Sequence, residues 1–159
     1  MSVLPIQTGA DNAILRRKAA KVTKITKTIQ KLIADMRQTV KEEAGMGLAA
    51  PQVGRSLRLC LALLSGKMTA LINPICTWMS DETSTEEEGC LSLPGITVAV
   101  MRPVSIILTY TDEKGAAQER KLTAMDARVA QHEMDHLKGR LLVDYLSAVK
   151  VSAVLPQPA

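Results

Sequence analysis

Gln131-His132-Glu133-Met134-Asp135-His136 contains both histidines of this 159-residue chain. If the segment is helical, the two imidazoles fall four positions apart, on one face and one turn from each other. A single metal ion can then reach both. Glu133 stands beside the first histidine, within reach of a water on such an ion. Two ligands do not complete a site. A catalytic centre of this kind takes three protein donors and leaves one position for water. The fold must therefore press a third donor against this helix. Downstream, Asp144 is the one candidate. Upstream stands Cys90, a better donor because a thiolate is soft and anionic.

The other two cysteines read differently. Cys60 lies inside an apolar run and Cys76 follows Pro74-Ile75, so both are expected as small buried residues. With three cysteines and no secretion signal, no disulfide framework is expected. Hydrophobic residues make up 47% of the chain. That suits one domain over 1–159 with a genuine core and a short flexible tail over 148–159. Aromatic residues are only 2%, with no Phe, so the core must rest on Leu, Ile, Val, Met and Ala. No apolar run reaches the roughly 18–20 residues of a membrane helix, and Met1-Ser2-Val3-Leu4-Pro5 does not resemble a signal peptide. A soluble cytoplasmic protein with no membrane partner is expected.

The net charge is +4. Arg16, Arg17, Lys18, Lys21, Lys24, Lys27 and Lys31 supply much of it. They form either a patch for RNA or an acidic surface, or simply a solvated helix face. Stacking aromatics are nearly absent, which argues against single-strand recognition, and no specific nucleic acid is expected.

In chain order, residues 11–19 predict a short helix capped by Asp11 or Asn12. Ile25, Ile29, Leu32, Ile33, Met36 and Val40 recur at helical spacing, with Thr26 as N-cap and Gly45 as the left-handed C-terminal residue. Residues 45–54 are rich in Gly and Ala. They read equally as a backbone wall for an extended ligand, with Gln52 offering its amide, or as an ordinary connection. Strands are expected over 57–64 and 68–72, broken at Asn73-Pro74 and resumed over 75–80. The acidic stretch 81–88 reads as an exposed connection. Further strands are expected over 96–101, 104–111 and 118–122, the last two joined at Asp112–Gly115. The histidine helix is expected to start near Thr123 or Met125 and to stop at Gly139, with a strand or turn at 141–146.

Three segments together resemble the peptide deformylase family: GMGLAAPQ at 45–52, EGCLS at 88–92 and QHEMDHLKG at 131–139. The last two are highly specific, the order is the family's, and the resemblance spans about residues 5 to 147. It implies an α+β fold, with small antiparallel sheets packed around a central C-terminal helix carrying HExxH and an N-terminal helix on the outside. It implies an enzyme that removes the formyl group from N-formylmethionyl nascent peptides. Cys90, His132 and His136 would bind the metal, iron(II) in this family, with zinc, nickel or cobalt able to occupy the site. Glu133 would be the general acid/base. Gln52 and the Leu91 N–H would meet the formyl oxygen. Met46 and Gly47 would line the extended substrate. Glu88, with Arg102 as partner, would shape the methionine pocket together with Met125, Arg128, Val129 and His132. A monomer is expected, with the ribosome near its peptide exit as a partner.

The chain departs from the family pattern in two places. Thr97 stands where some deformylases carry Arg or Tyr, which bears on a substrate-backbone contact. The chain also stops soon after Ser147, without the long C-terminal helix of many bacterial members. That helix is remote from the three motifs, so activity is expected without it. Asp135 reads as a carboxylate that either orients a histidine or pairs with Arg128 or Arg140. Two other functions fit parts of the pattern. One is a zinc peptidase cutting internal bonds, which HExxH supports but the upstream cysteine does not. The other is a basic, ribosome-bound protein with a structural metal, which would want a fourth protein ligand.

Overall fold

The computed structural model describes residues 1–146; the tail expected over 148–159 lies outside them. A short helix, α1 (Ala13–Arg16), is capped by Asn12, whose side chain accepts from the Ile14 N–H. From 17 to 26 the chain has no helix. Lys18, Lys21 and Lys24 therefore stand exposed on a connecting segment, not on the helix face expected for them. Asn73 holds this segment down: its Oδ1 accepts from the Val22 N–H at 2.9 Å and its Nδ2 donates to the Val22 carbonyl at 2.8 Å.

The second helix, α2 (Lys27–Glu42), begins as its sequence predicts, with Thr26 accepting from the Ile29 N–H. Ile29, Leu32, Ile33, Met36 and Val40 are buried along one face. Its end differs from expectation. Ala44, not Gly45, takes the left-handed conformation, at φ 51°. Gly45 is small for another reason: a Cβ there would meet Val40 Cγ2 at 3.0 Å and Leu91 Cδ1 at 3.4 Å.

Seven strands follow. They are β1 (Gly47–Ala49), β2 (Leu59–Leu64), β3 (Lys67–Met79), β4 (Thr83–Gly89), β5 (Thr97–Pro103), β6 (Ser105–Thr111) and β7 (Ala117–Thr123), with a 3-10 turn over Ala50–Val53 after β1. Five form one antiparallel sheet in the order β1-β2-β3-β6-β7, and β4 and β5 pair separately. β2 shows why both faces of the large sheet are covered. Leu59 and Leu61 pack into the core beneath α2. Cys60, Ala62 and Leu64 point the other way, into a second core. That alternation is the two-residue period of a strand.

Two expectations fail here. β3 does not break at Asn73-Pro74 but runs through, shifting register between Ile72 and Ile75 and again between Cys76 and Trp78. Asn73 absorbs the bend at φ 52°, since a bulge accommodates the residues that cannot continue a flat ladder. The acidic stretch is not a loose connection either. Residues 83–89 pair residue for residue with 97–103, from Thr83 opposite Pro103 to Gly89 opposite Thr97.

The histidine helix, α3 (Ala124–Leu137), carries buried Ala127, Val129, Ala130 and Leu137 into the second core. It packs on β1, β2 and β7 and also touches β5, so it lies between the two sheets. Leu15, Leu93, Val98, Val100, Leu141 and Leu142 form a third core beside the β4–β5 pair. Residues 143–146 are helical, where a strand or turn was expected. The α+β architecture read from the motifs is the one observed. Among the described residues no helix is long and apolar enough to cross a membrane.

Candidate metal centre and active site

Cys90 directly follows β4, while His132 and His136 project from one face of α3. One donor atom from each lies within 4.8 Å of the others. Cys90 Sγ and His136 Nε2 are 3.4 Å apart. Donors around a tetrahedral ion, at bond lengths of about 2.0–2.3 Å, sit roughly 3.3–3.6 Å from one another. The spacing and the soft, mixed N/S donor set both fit a divalent transition metal. Asp144 is not part of the cluster; it pairs with Arg16 at 2.7 Å.

The ring of His132 is held from behind. Its Nδ1 meets Glu88 Oε1 at 2.9 Å, which leaves Nε2 for the cluster. Glu88 in turn accepts from Arg102 Nε at 2.6 Å and Nη2 at 2.9 Å, and from Arg128 Nη1 at 2.6 Å. Burial works to raise the Glu88 carboxyl, but the hydrogen bonds from Arg102 and His132 hold it down at about 2. Burial also acts against charge on His132, yet its bonds to Cys90 and Glu88 lift it to about 10. His136 goes the other way, pushed down by burial and by the neighbouring His132. Asp135 touches neither histidine directly, nor does it pair with Arg128 or Arg140 among the described residues. It accepts from Arg102 at 3.0 Å and from the Tyr145 hydroxyl at 2.6 Å.

Glu133 is almost fully buried, and its Oε2 has no hydrogen-bond partner. Burial pushes its carboxyl up to about 7. It fits because β1 offers no side chain there: a Cβ on Gly47 would meet Glu133 Cγ at 2.8 Å and the Leu61 carbonyl oxygen at 2.8 Å. Gln52 sits at the other flank. Its Oε1 accepts from the Ala49 N–H at 2.9 Å, which turns the amide nitrogen toward Ser92 Oγ at 3.1 Å and Cys90 Sγ at 3.6 Å. The Leu91 N–H makes no hydrogen bond among the described residues.

These groups form one end of a cavity of about 580 Å³. Every residue expected to bind substrate lines it: Met46, Gly47, Glu88, Met125, Arg128 and Val129, together with Gln52, Cys90, Leu91, His132 and Glu133. Arg128 lines the cavity with its stem. Its guanidinium is spent on Glu86, Glu88, the Val100 carbonyl and Ser84. Only its stem can face a ligand. Thr97, where the sequence bears on a substrate-backbone contact, also lines the cavity, as do Glu87 and Ile96, which no sequence signal marks. They sit on a strand read as a connection, or beyond the Pro94-Gly95 turn.

The polypeptide deformylase family model matches residues 3–152. Among curated relatives, the peptide deformylase of Rickettsia akari is 39% identical, over 98% of this chain and 94% of its own. That of Chlorobaculum tepidum is 44% identical, over 89% and 79%. The crystal structure of the Thermotoga maritima peptide deformylase superposes with a TM-score of 0.87 at 39% identity, covering 91% of this chain and 97% of that one. The Ehrlichia chaffeensis structure gives 0.89 at 35%, covering 94% and 90%. Near-complete overlap with these relatives, on a shared architecture, makes the chain a member of the peptide deformylase family.

Proposed function

We propose that this chain hydrolyses the formamide bond of N-formylmethionyl polypeptides as they are made, releasing formate and a free N-terminal methionine. One observation carries the reading above all. A three-donor cluster lies at the end of a cavity, with an unpartnered buried carboxylate oxygen on Glu133 and the Gln52 amide beside it.

β1 and β4 are edge strands of different sheets, and both line the cavity. A substrate can lie extended between them as an added strand. Its methionine side chain meets Met125, Val129 and the stem of Arg128. Cys90, His132 and His136 would hold the metal, with iron(II) the assignment for this family and zinc, nickel or cobalt as occupants of the same donors. When bound, such an ion acts as a Lewis acid and makes a water molecule acidic near neutral pH. Glu133, with its unpartnered Oε2 beside the cluster, is placed to take a proton from a water adding to the formyl carbon. The Gln52 amide and the Leu91 N–H donate to the oxygen on which charge develops. Glu133 then delivers the proton to the amine nitrogen as the C–N bond breaks.

The reading extends to a single catalytic domain over 1–159, acting as a monomer in the cytoplasm, close to the ribosomal peptide exit where its substrate emerges.

The test is formate release from a formyl-Met peptide by protein purified anaerobically, beside the unformylated peptide. Cleavage of internal bonds without formate would overturn it in favour of a zinc peptidase. Glu133→Ala is expected to keep its metal while turnover falls by about a thousandfold; an empty site in that variant would make Glu133 a ligand instead. Cys90→Ala is expected to lose most of its metal, and full occupancy would place the third ligand elsewhere.

A further inference from the structure

We propose that Tyr145 is a positioning residue for His132, acting through Asp135, Arg102 and Glu88. The inference rests on the metal assignment above. Tyr145 lies outside all three motifs, beyond the end of α3. Its hydroxyl donates to Asp135 Oδ2 at 2.6 Å and accepts from Arg102 Nη1 at 3.3 Å. Arg102 Nη1 also donates to the same Asp135 oxygen, at 3.0 Å. These three groups close a triangle. From the other side of its guanidinium, Arg102 grips Glu88 through Nε and Nη2, and Glu88 holds His132 Nδ1.

A guanidinium is a rigid planar fork. Two bonds to Glu88 set its plane only if the far end is held as well, and Asp135 and Tyr145 hold that end. Arg102 is 3% exposed, so an N–H left over there has no water to turn to. The phenol is itself clamped, with Arg140 Cζ 4.3 Å and Arg102 Cζ 5.2 Å from its ring centroid. Burial, reinforced by Asp135, pushes its hydroxyl up to about 12, so it stays a donor over the working pH range. Removing that hydroxyl leaves Asp135 one donor short and the far end of Arg102 held by Asp135 alone, so the fork can shift. Glu88 and the His132 ring turn with it. Groups that support a metal ligand from behind typically change metal affinity by about 10- to 100-fold.

The test uses the full chain loaded with cobalt(II). Tyr145→Phe is expected to lose cobalt to a chelator about tenfold faster than the parent and to shift its visible absorption bands. Asp135→Asn is expected to act in the same direction. In a Glu88→Gln background, Tyr145→Phe should add nothing further, because the relay is already cut. A release rate and spectrum unchanged from the parent would reduce Tyr145 to an anchor for the segment after α3 and overturn the inference. A tenfold effect that persists in the Glu88→Gln background would overturn the route through Arg102. If the parent chain binds no cobalt, the metal assignment itself fails, and this inference with it.

Discussion

Glu133 shows how far a single residue's role can be read from spacing and where the reading stops. HExxH placed it beside the cluster, but its value near 7 comes from burial against Gly47, which no local pattern states. The consequence for stability has a definite sign. The unfolded carboxyl titrates at 4.5 and the folded one at about 7, so the native state holds the proton more tightly. In the metal-free protein Glu133 contributes stability that is present below about 4.5 and lost as the pH rises to about 7. The loss is on the order of 3 kcal/mol. Urea midpoints across that range should show it in the parent and not in Glu133→Gln. Glu88 is the residue that sequence undervalued. The histidine's supporting carboxylate was sought at Asp135, on the same helix, but Asp135 faces Arg102 and Tyr145. The true partner stands 44 positions upstream on β4, a distance only the tertiary fold can close. Glu88→Gln removes the buried carboxylate that two guanidinium groups share, leaving Arg102 with Asp135 and Arg128 with the more exposed Glu86. It should lower stability by about 3–5 kcal/mol, measured on the metal-free protein so that metal loss does not contribute.

Among the elements, α2 was legible because its apolar residues repeat with the helical period behind the Thr26 cap, and α3 because two histidines four positions apart share a face only on a helix. β4 was not. Its run of Thr, Ser and Glu reads as solvated, and most of it is indeed exposed. It is a strand because β5 supplies a full antiparallel ladder, and because Arg102 and Arg128 neutralise the one carboxylate it buries. β3 was split in the sequence reading by Asn73-Pro74, since bulge tolerance depends on neighbours that a local pattern omits. Residues 45–54 read equally as wall or connection; Gly47 on β1 lines the cavity and leaves room for Glu133. Gly47→Ala must push either Glu133 or the backbone of β2 aside. It should cost about 1–3 kcal/mol and lower kcat more than it raises KM, because the displaced group is the proton carrier. A crystal structure of the variant would show which of the two gives way.

At the scale of the whole molecule, the fold class was readable from the motifs, but the strand order was not: β3 passes over the β4–β5 pair to join β6. That detour brings Cys90 to α3. A metal there ties the small sheet to the central helix, so its removal should be felt globally. With free metal at about a thousand times its Kd, binding adds about 4 kcal/mol to stability; chelation should lower Tm accordingly, and restoring the metal should reverse it. One further consequence follows from the two bare strand edges that flank the cavity. Main-chain amides are the same in every polypeptide. A cleft that grips its guest by those amides can be exacting about the first residue and indifferent to the sequence behind it, as a proteome-wide processing step demands.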